Sequence, residues 1–209
     1  MKRRDFLRAG VAGGAVAGVS GASAGELTWT PSEIEGPFYP VVAQKDKDFD
    51  LTKVEGKEGV AKGRVVFVSG VVVDTDGAPV EEATVDLWQA NAAGRYRHPH
   101  DSNPAPLDPN FQGWAIVPSG VKGEFNFKTV VPGAYPASEG WVRPPHIHFK
   151  VSKKGYVELT TQMYFPGEEL NEKDRLLKRK SEEEQEMMVA KLIEDNPETF
   201  HFRIVLEKA

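Results

Sequence analysis

Two histidines lie two residues apart in Arg143-Pro144-Pro145-His146-Ile147-His148-Phe149, and theirs is the spacing in this chain that most directly suggests chemistry. On a β-strand, residues i and i+2 share a face, so His146 and His148 project side by side while Ile147 and Phe149 turn to the interior. A neutral imidazole is the commonest metal ligand, and two of them can converge on one ion if other groups complete the shell. Pro144-Pro145 stiffen the entry to the strand, the rigidity a preorganised site needs. Alone, two strand histidines are more often core or surface residues. The chain has no cysteine, which removes disulfide scaffolds, thiolate metal sites and cysteine nucleophiles together. Any metal must then be held by His, Tyr, Asp or Glu. Two segments carry a tyrosine at a strand end beside Gly or Pro: WQANAAGRYRH, Trp88 to His98, with Tyr96, and PGAYP, Pro132 to Pro136, with Tyr135. Taken singly, either tyrosine reads equally well as an amphipathic rim residue.

The elements that would position these side chains are strands. Arg64 to Val73 is rich in β-branched residues and ends in the turn signal Asp74-Thr75-Asp76-Gly77. Ala83 to Trp88 and Gly123 to Val130 alternate, with Phe125 and Phe127 on one face. His146 to Ser152, Thr160 to Phe165 and Phe200 to Leu206 complete the set. Short strands at regular spacing between Gly/Pro turns predict an all-β fold, an antiparallel β-sandwich. Ala93 to Ser119 lacks periodicity and reads as a long functional loop. Lys173 to Asn196 carries Leu176, Leu177, Met187, Met188, Val189, Leu192 and Ile193 at helix-like spacing and predicts one surface helix in the C-terminal half.

With 209 residues and 40% hydrophobic content, the chain buries one sizeable core and is short for two. Its formal net charge of −5 offers no basic stripe, which argues against nucleic acid as a partner. Met1 to Arg8 is basic, Ala9 to Val19 is a short apolar run, and Ala22-Ser23-Ala24 is a small-residue cleavage site. The run is too short to cross a bilayer. Arg3-Arg4 followed by Phe6-Leu7 resembles a twin-arginine export signal. Residues 1–24 are therefore expected to be a signal peptide that engages the twin-arginine export machinery. Residues 25–209 would be the functional domain, delivered folded to the periplasm or beyond.

The segments WQANAAGRYRH, LDPNF (Leu107 to Phe111), PGAYP, RPPHIHF and TQMYF (Thr161 to Phe165), with Glu35-Gly36-Pro37-Phe38-Tyr39 before them, occur in a distinctive order and spacing. In this the chain resembles the intradiol ring-cleavage dioxygenases over about residues 33–206, most nearly the β subunits of protocatechuate 3,4-dioxygenase. The resemblance implies a transthyretin-like sandwich and one non-haem Fe(III) per chain, held by Tyr96, Tyr135, His146 and His148. It implies a small aromatic diol and O2 as substrates. Arg143 would stabilise the electron-rich substrate, Gln162 would orient its guanidinium, and Tyr135 would also take a substrate proton. Gly36, Pro37 and Tyr39 would line the pocket, from this chain or a neighbour in a homo-oligomer. Hard phenolate donors suit a trivalent ion, and the cation must supply the field that deprotonates a phenol of pKa about 10.

Where those β subunits carry a tryptophan after the Tyr-Pro pair, this chain has Ala137, so one wall of the pocket is smaller or rebuilt. Protocatechuate is a doubtful substrate on that ground. A non-catalytic transthyretin-like binding module would share the architecture, and only the proposed donor set separates the two readings. An enzyme of this fold with altered metal or chemistry is a third. His98, His100 and His201 are expected to be structural or exposed.

Overall fold

The computed structural model describes residues 26–44 and 46–209. The expected export signal lies outside the described residues. The strands run, in chain order, β1 (Val65–Asp74), β2 (Thr84–Trp88), β3 (Trp114–Pro118), β4 (Glu124–Val130), β5 (Tyr135–Ser138), β6 (Trp141–Arg143), β7 (His146–Ser152), β8 (Leu159–Tyr164), β9 (Lys191–Ile193) and β10 (Asn196–Leu206). One sheet has the order β4-β1-β10-β9, a second has β3-β2-β7-β8, and β5 and β6 form a separate hairpin.

The expected sandwich follows from alternation. In β1, Val66, Val68 and Val72 are fully buried, and in β4 Phe125 and Phe127 turn inward as their spacing requires. The inner faces meet through aromatic rings: Phe149 of β7 lies 6.1 Å from both Phe125 and Phe127, and 5.3 Å from Phe202. Each such ring contributes on the order of 1.5–3 kcal/mol by leaving water. One pairing departs from the antiparallel expectation, because β1 and β10 run parallel.

Two local expectations are corrected. The stretch Ala93 to Ser119 is not loop throughout: its end forms β3, whose Trp114 and Ala115 are buried against β2. Its alternation is too short to stand out beside the preceding Pro/Asn/Asp-rich residues. The predicted helix over Lys173 to Asn196 shrinks to α1 (Glu182–Met188), started by a capping box between Ser181 and Glu184. Before it lie two 3-10 turns, Glu169–Lys173 and Leu177–Arg179, and after it the chain re-enters the first sheet as β9 and β10. Asp174 explains part of the interruption. Its buried carboxylate accepts from the backbone N–H groups of Leu176 and Leu177, which drives a new turn where a continuous helix was expected.

Candidate active site

Strand register assembles the core of the site. β7 lies between β2 and β8, so His148 sits opposite both Trp88 and Gln162, and His146 sits opposite Tyr164. Ile147 and Phe149 alternate into the core and are fully buried, as their spacing predicts. His148 is stacked on Trp88, with centroids 4.8 Å apart and planes within 9°, which fixes its ring plane. His146 Nδ1 lies 2.7 Å from the Pro144 carbonyl. A carbonyl only accepts, so Nδ1 carries the proton and Nε2 presents a lone pair. The two prolines thus do more than stiffen the entry: one of them sets the tautomer.

The tyrosines arrive on two loops that are held close. Asn91 Oδ1 accepts from the N–H groups of Ala93 and Arg95, Asp101 accepts from Tyr96 N–H at 2.7 Å, and this turn aims Tyr96 inward. Tyr135 opens β5 and pairs directly with Arg143 of β6. The two loops touch at glycines. A Cβ on Gly94 (φ +80°) would lie 2.4 Å from the Ala134 carbonyl oxygen, and one on Gly133 would lie 2.4 Å from Gly94 N. Only residues without a side chain allow this approach. Gly94→Ala is therefore expected to push the tyrosine loops apart at a cost of roughly 1–3 kcal/mol of stability; thermal unfolding checks it.

The side chains converge. Tyr96 Oη lies 3.1 Å from His148 Nε2 and 3.4 Å from His146 Nε2, and the two imidazole nitrogens are 3.2 Å apart. An ion seated over that triangle lies about 2 Å from all three atoms, the ordinary length of a metal bond to nitrogen or oxygen. Tyr135 closes the fourth side, its ring edge-to-face with Tyr96 at 5.5 Å and 5.7 Å from His146. Among the described residues, no group of three His, Asp or Glu is arranged to hold a metal, so the phenols are needed.

Electrostatics favour a cation here. Burial, aided by the Arg143 charge, holds His146 well below the usual imidazole range and His148 down at about 3, so both rings are neutral with lone pairs free. Burial likewise raises both phenols, with the neighbouring Tyr135 adding to the effect on Tyr96. Four buried neutral donors crowd one point, and among the described residues His148 Nδ1 has no partner. A trivalent ion relieves that crowding and supplies the field that lowers phenol pKa values. The donor set fits hard Fe(III).

Arg143 is 4% exposed and fully engaged on one side. Its Nε donates to Asp174 Oδ2 at 2.7 Å, and its Nη2 donates to Gln162 Oε1 at 2.6 Å and to Tyr164 Oη at 3.0 Å. Burial works against the charge, but Tyr164, Tyr135 and Asp174 together hold it firmly protonated. Among the described residues, Nη1 makes no hydrogen bond. Gln162 is where the sequence predicts it; Asp174 and Tyr164 were missed. Asp174 lay inside the predicted helix and looked like one more surface charge. Tyr164 was within reach, since TQMYF puts it two residues from Gln162 on the same face.

Gly36 comes from the same chain, and a Cβ placed on it would stand 3.4 Å from His148 Cε1. Pro37 follows it as an exposed residue. Tyr39 is placed differently from expectation. Its hydroxyl donates to Asp86 at 2.7 Å and its ring abuts Trp88, so it braces the back of the site. Phe38 instead faces the tyrosines, 4.9 Å from Tyr96 and 6.4 Å from Tyr135. Adjacent residues in an extended segment point opposite ways, so Phe38 and Tyr39 face different neighbours. His98 and His100 lie together near the surface, and His201 sits against Ser69 on the other sheet.

The fold and site are those of a β-sandwich that gathers two imidazoles and two phenols beside a buried arginine. The sequence matches the Dioxygenase family over residues 34–207. It is 39% identical over 171 residues to the protocatechuate 3,4-dioxygenase beta chain of Burkholderia cepacia, covering 78% of this chain and 72% of that one. It is 32% identical over 156 residues to a chlorocatechol 1,2-dioxygenase of Cupriavidus pinatubonensis, covering 66% of this chain; the chain spans only 55% of that relative's length. Among solved structures, the dioxygenase domain of a dioxygenase carbohydrate-binding fusion from Streptomyces sp. SirexAA-E superposes with TM-score 0.66 at 28% identity, over 87% of this chain and all of that one. A 3-chlorocatechol 1,2-dioxygenase from Rhodococcus opacus 1CP has the same fold at TM-score 0.67 and 24% identity, covering 88% of this chain and 74% of that one. The chain belongs to the intradiol ring-cleaving dioxygenases, oxidoreductases of a family that uses non-haem iron.

Proposed function

We propose that this protein binds one non-haem Fe(III) through Tyr96, Tyr135, His146 and His148 and cleaves a catechol-type ring between its two hydroxyl-bearing carbons. One carbon–carbon bond breaks and both atoms of O2 end in the two carboxyl groups of a muconate-type product. The observation that carries the reading is the triangle of Tyr96 Oη, His146 Nε2 and His148 Nε2, with sides of 3.1 to 3.4 Å. Bound iron supplies Lewis-acid activation of the diol toward O2. The rest is the work of the chain. Tyr135 Oη, deprotonated in the loaded site, takes the proton of one substrate hydroxyl. Arg143, opposite Tyr135 in the β5–β6 hairpin, turns its uncommitted Nη1 edge toward the electron-rich ring and stabilises the charge that develops there. Gln162, Tyr164 and Asp174 hold that cation in one orientation, so little reorganisation is needed when the ring reacts. Gly36 lets the N-terminal segment pass against His148, and with Pro37 it lines the substrate side.

Tyr135→Phe separates this account from a structural role for the hairpin. It keeps the ring packing and removes the proton acceptor, so turnover per bound iron should fall by about 100-fold or more. Steady-state oxygen uptake across catechol, hydroxyquinol, protocatechuate and gallate measures this, and unchanged kcat on all four would exclude the role. Residues 1–24 we read as the export signal, which places the reaction in the periplasm or outside the cell.

A further inference from the structure

The two proposed imidazole ligands are oriented in different ways. His146 is set by a hydrogen bond to the Pro144 carbonyl, but His148 Nδ1 meets no hydrogen-bonding group among the described residues. A metal-binding imidazole needs its plane fixed from outside, so packing must do for His148 what a carbonyl does for His146. That packing has two supports. Trp88 stacks on the face of the ring, and Gly36 leaves only enough room for its own hydrogen beside Cε1, where a Cβ would stand at 3.4 Å. Both supports depend on the segment Glu35 to Tyr39: it carries Gly36, and at its far end the Tyr39 ring meets Trp88 edge-on at 4.9 Å and 85°. The segment is pinned on either side of Gly36 by one cross-strand pair. Trp88 of β2 stands opposite His148 of β7, and two residues away on each strand, on the same face, Asp86 stands opposite Lys150. Lys150 pairs with Glu35, and Asp86 Oδ2 accepts from Tyr39 Oη at 2.7 Å. Lys150 Nζ also lies 4.2 Å from the centre of the Tyr39 ring, so both anchors meet on one side chain. Asp86 is a firm post, 7% exposed, with its second oxygen accepting from Trp114 Nε1 at 2.8 Å. Burial, and after it the Asp86 carboxylate, raise the Tyr39 phenol above its ordinary pKa and keep the proton on that bond.

We propose that Asp86 and Lys150 are positioning residues for His148: they buckle Glu35–Tyr39 across it and so hold its ring in the one plane that aims Nε2 at Tyr96 and His146. Asp86 acts through Tyr39 and Trp88 on the face of the ring, and Lys150 acts through Glu35 and Gly36 on its edge. The consequence for iron rests on the ring-cleavage reading; the control of the ring plane does not.

The test has two readouts: the NMR signal of the His148 Cε1–H in metal-free protein, which stacking on the indole shifts upfield, and the rate of iron release to a chelator after reconstitution. Tyr39→Phe keeps the ring and removes the bond to Asp86. Its His148 signal should move toward that of an unstacked imidazole or broaden, and iron should leave about tenfold faster or more. Lys150→Met should act in the same direction by about threefold, because the ion pair it breaks is partly exposed. Lys150→Arg should restore both readouts, since a guanidinium can pair with Glu35 and lie on the Tyr39 ring. Ile204→Val, a mild truncation in the core of the other sheet, should leave both unchanged. If Tyr39→Phe matches Ile204→Val in either readout, the proposal is overturned. If no form of the protein takes up iron, the ring-cleavage reading fails by itself and the metal-free spectrum decides alone. A His148 signal displaced in Tyr39→Phe and Lys150→Met and recovered in Lys150→Arg then sustains the buckle; a signal that none of them moves overturns it.

Discussion

His148→Ala is expected to yield a folded protein that holds no stoichiometric iron and turns over no catechol. The substitution deletes Nε2, the atom that lies within 3.2 Å of both His146 Nε2 and Tyr96 Oη. It also removes the ring that Trp88 holds in plane. Losing an outer-shell partner already costs roughly 10–100-fold in metal affinity, and loss of a direct donor exceeds that. The fold should survive, because the core face of β7 is built by Ile147, Phe149 and Val151. Metal analysis and visible absorption after reconstitution provide the check, with far-UV circular dichroism confirming the fold. Retained iron at one per chain would remove His148 from the donor set.

Asp174→Ala is expected to be the most destabilising single change near the site. Asp174 is completely buried, and its carboxylate neutralises the buried Arg143 at 2.7 Å while accepting two backbone N–H groups. Truncation leaves a desolvated guanidinium without a counter-charge, which costs about 3–5 kcal/mol. Asp174→Asn preserves volume and part of the hydrogen bonding, so it should fold. With the charge gone and Arg143 freed to rotate about its Gln162 and Tyr164 contacts, kcat should fall by about tenfold or more while KM changes little. Urea unfolding and oxygen-uptake kinetics measure the two effects. A stability change below about 1 kcal/mol in Asp174→Ala would show that Arg143 does not depend on this partner.

The sequence made the sandwich legible where alternation was strong. β1, β2, β4 and β7 lie where their β-branched and aromatic residues put them, and the His-x-His pair follows from period two alone. What escaped was set by contacts distant in the chain. β3 is held by pairing with β2 at the close of a long irregular stretch, and the Lys173 to Asn196 segment breaks because Asp174 turns its carboxylate to local backbone and to Arg143. Periodicity reports which face of an element is apolar; it does not report a side chain that ends the element. The tyrosines could be proposed from resemblance, but the Gly94–Gly133 contact that lets their loops meet is visible only in three dimensions. The placement of Tyr39 against Trp88 and of Phe38 against the tyrosines has the same origin: an extended segment without a fixed register leaves inward and outward residues undetermined.

The most direct measurement is the iron content and visible spectrum of the purified, iron-reconstituted protein, recorded beside Tyr96→Phe and Tyr135→Phe. The proposed function predicts one ferric ion per chain and a wine-red colour, from phenolate-to-iron charge transfer, that weakens or shifts in each variant. A colourless protein that fails to retain iron, or a spectrum indifferent to both substitutions, would contradict the convergence of these phenols with His146 and His148 on one metal.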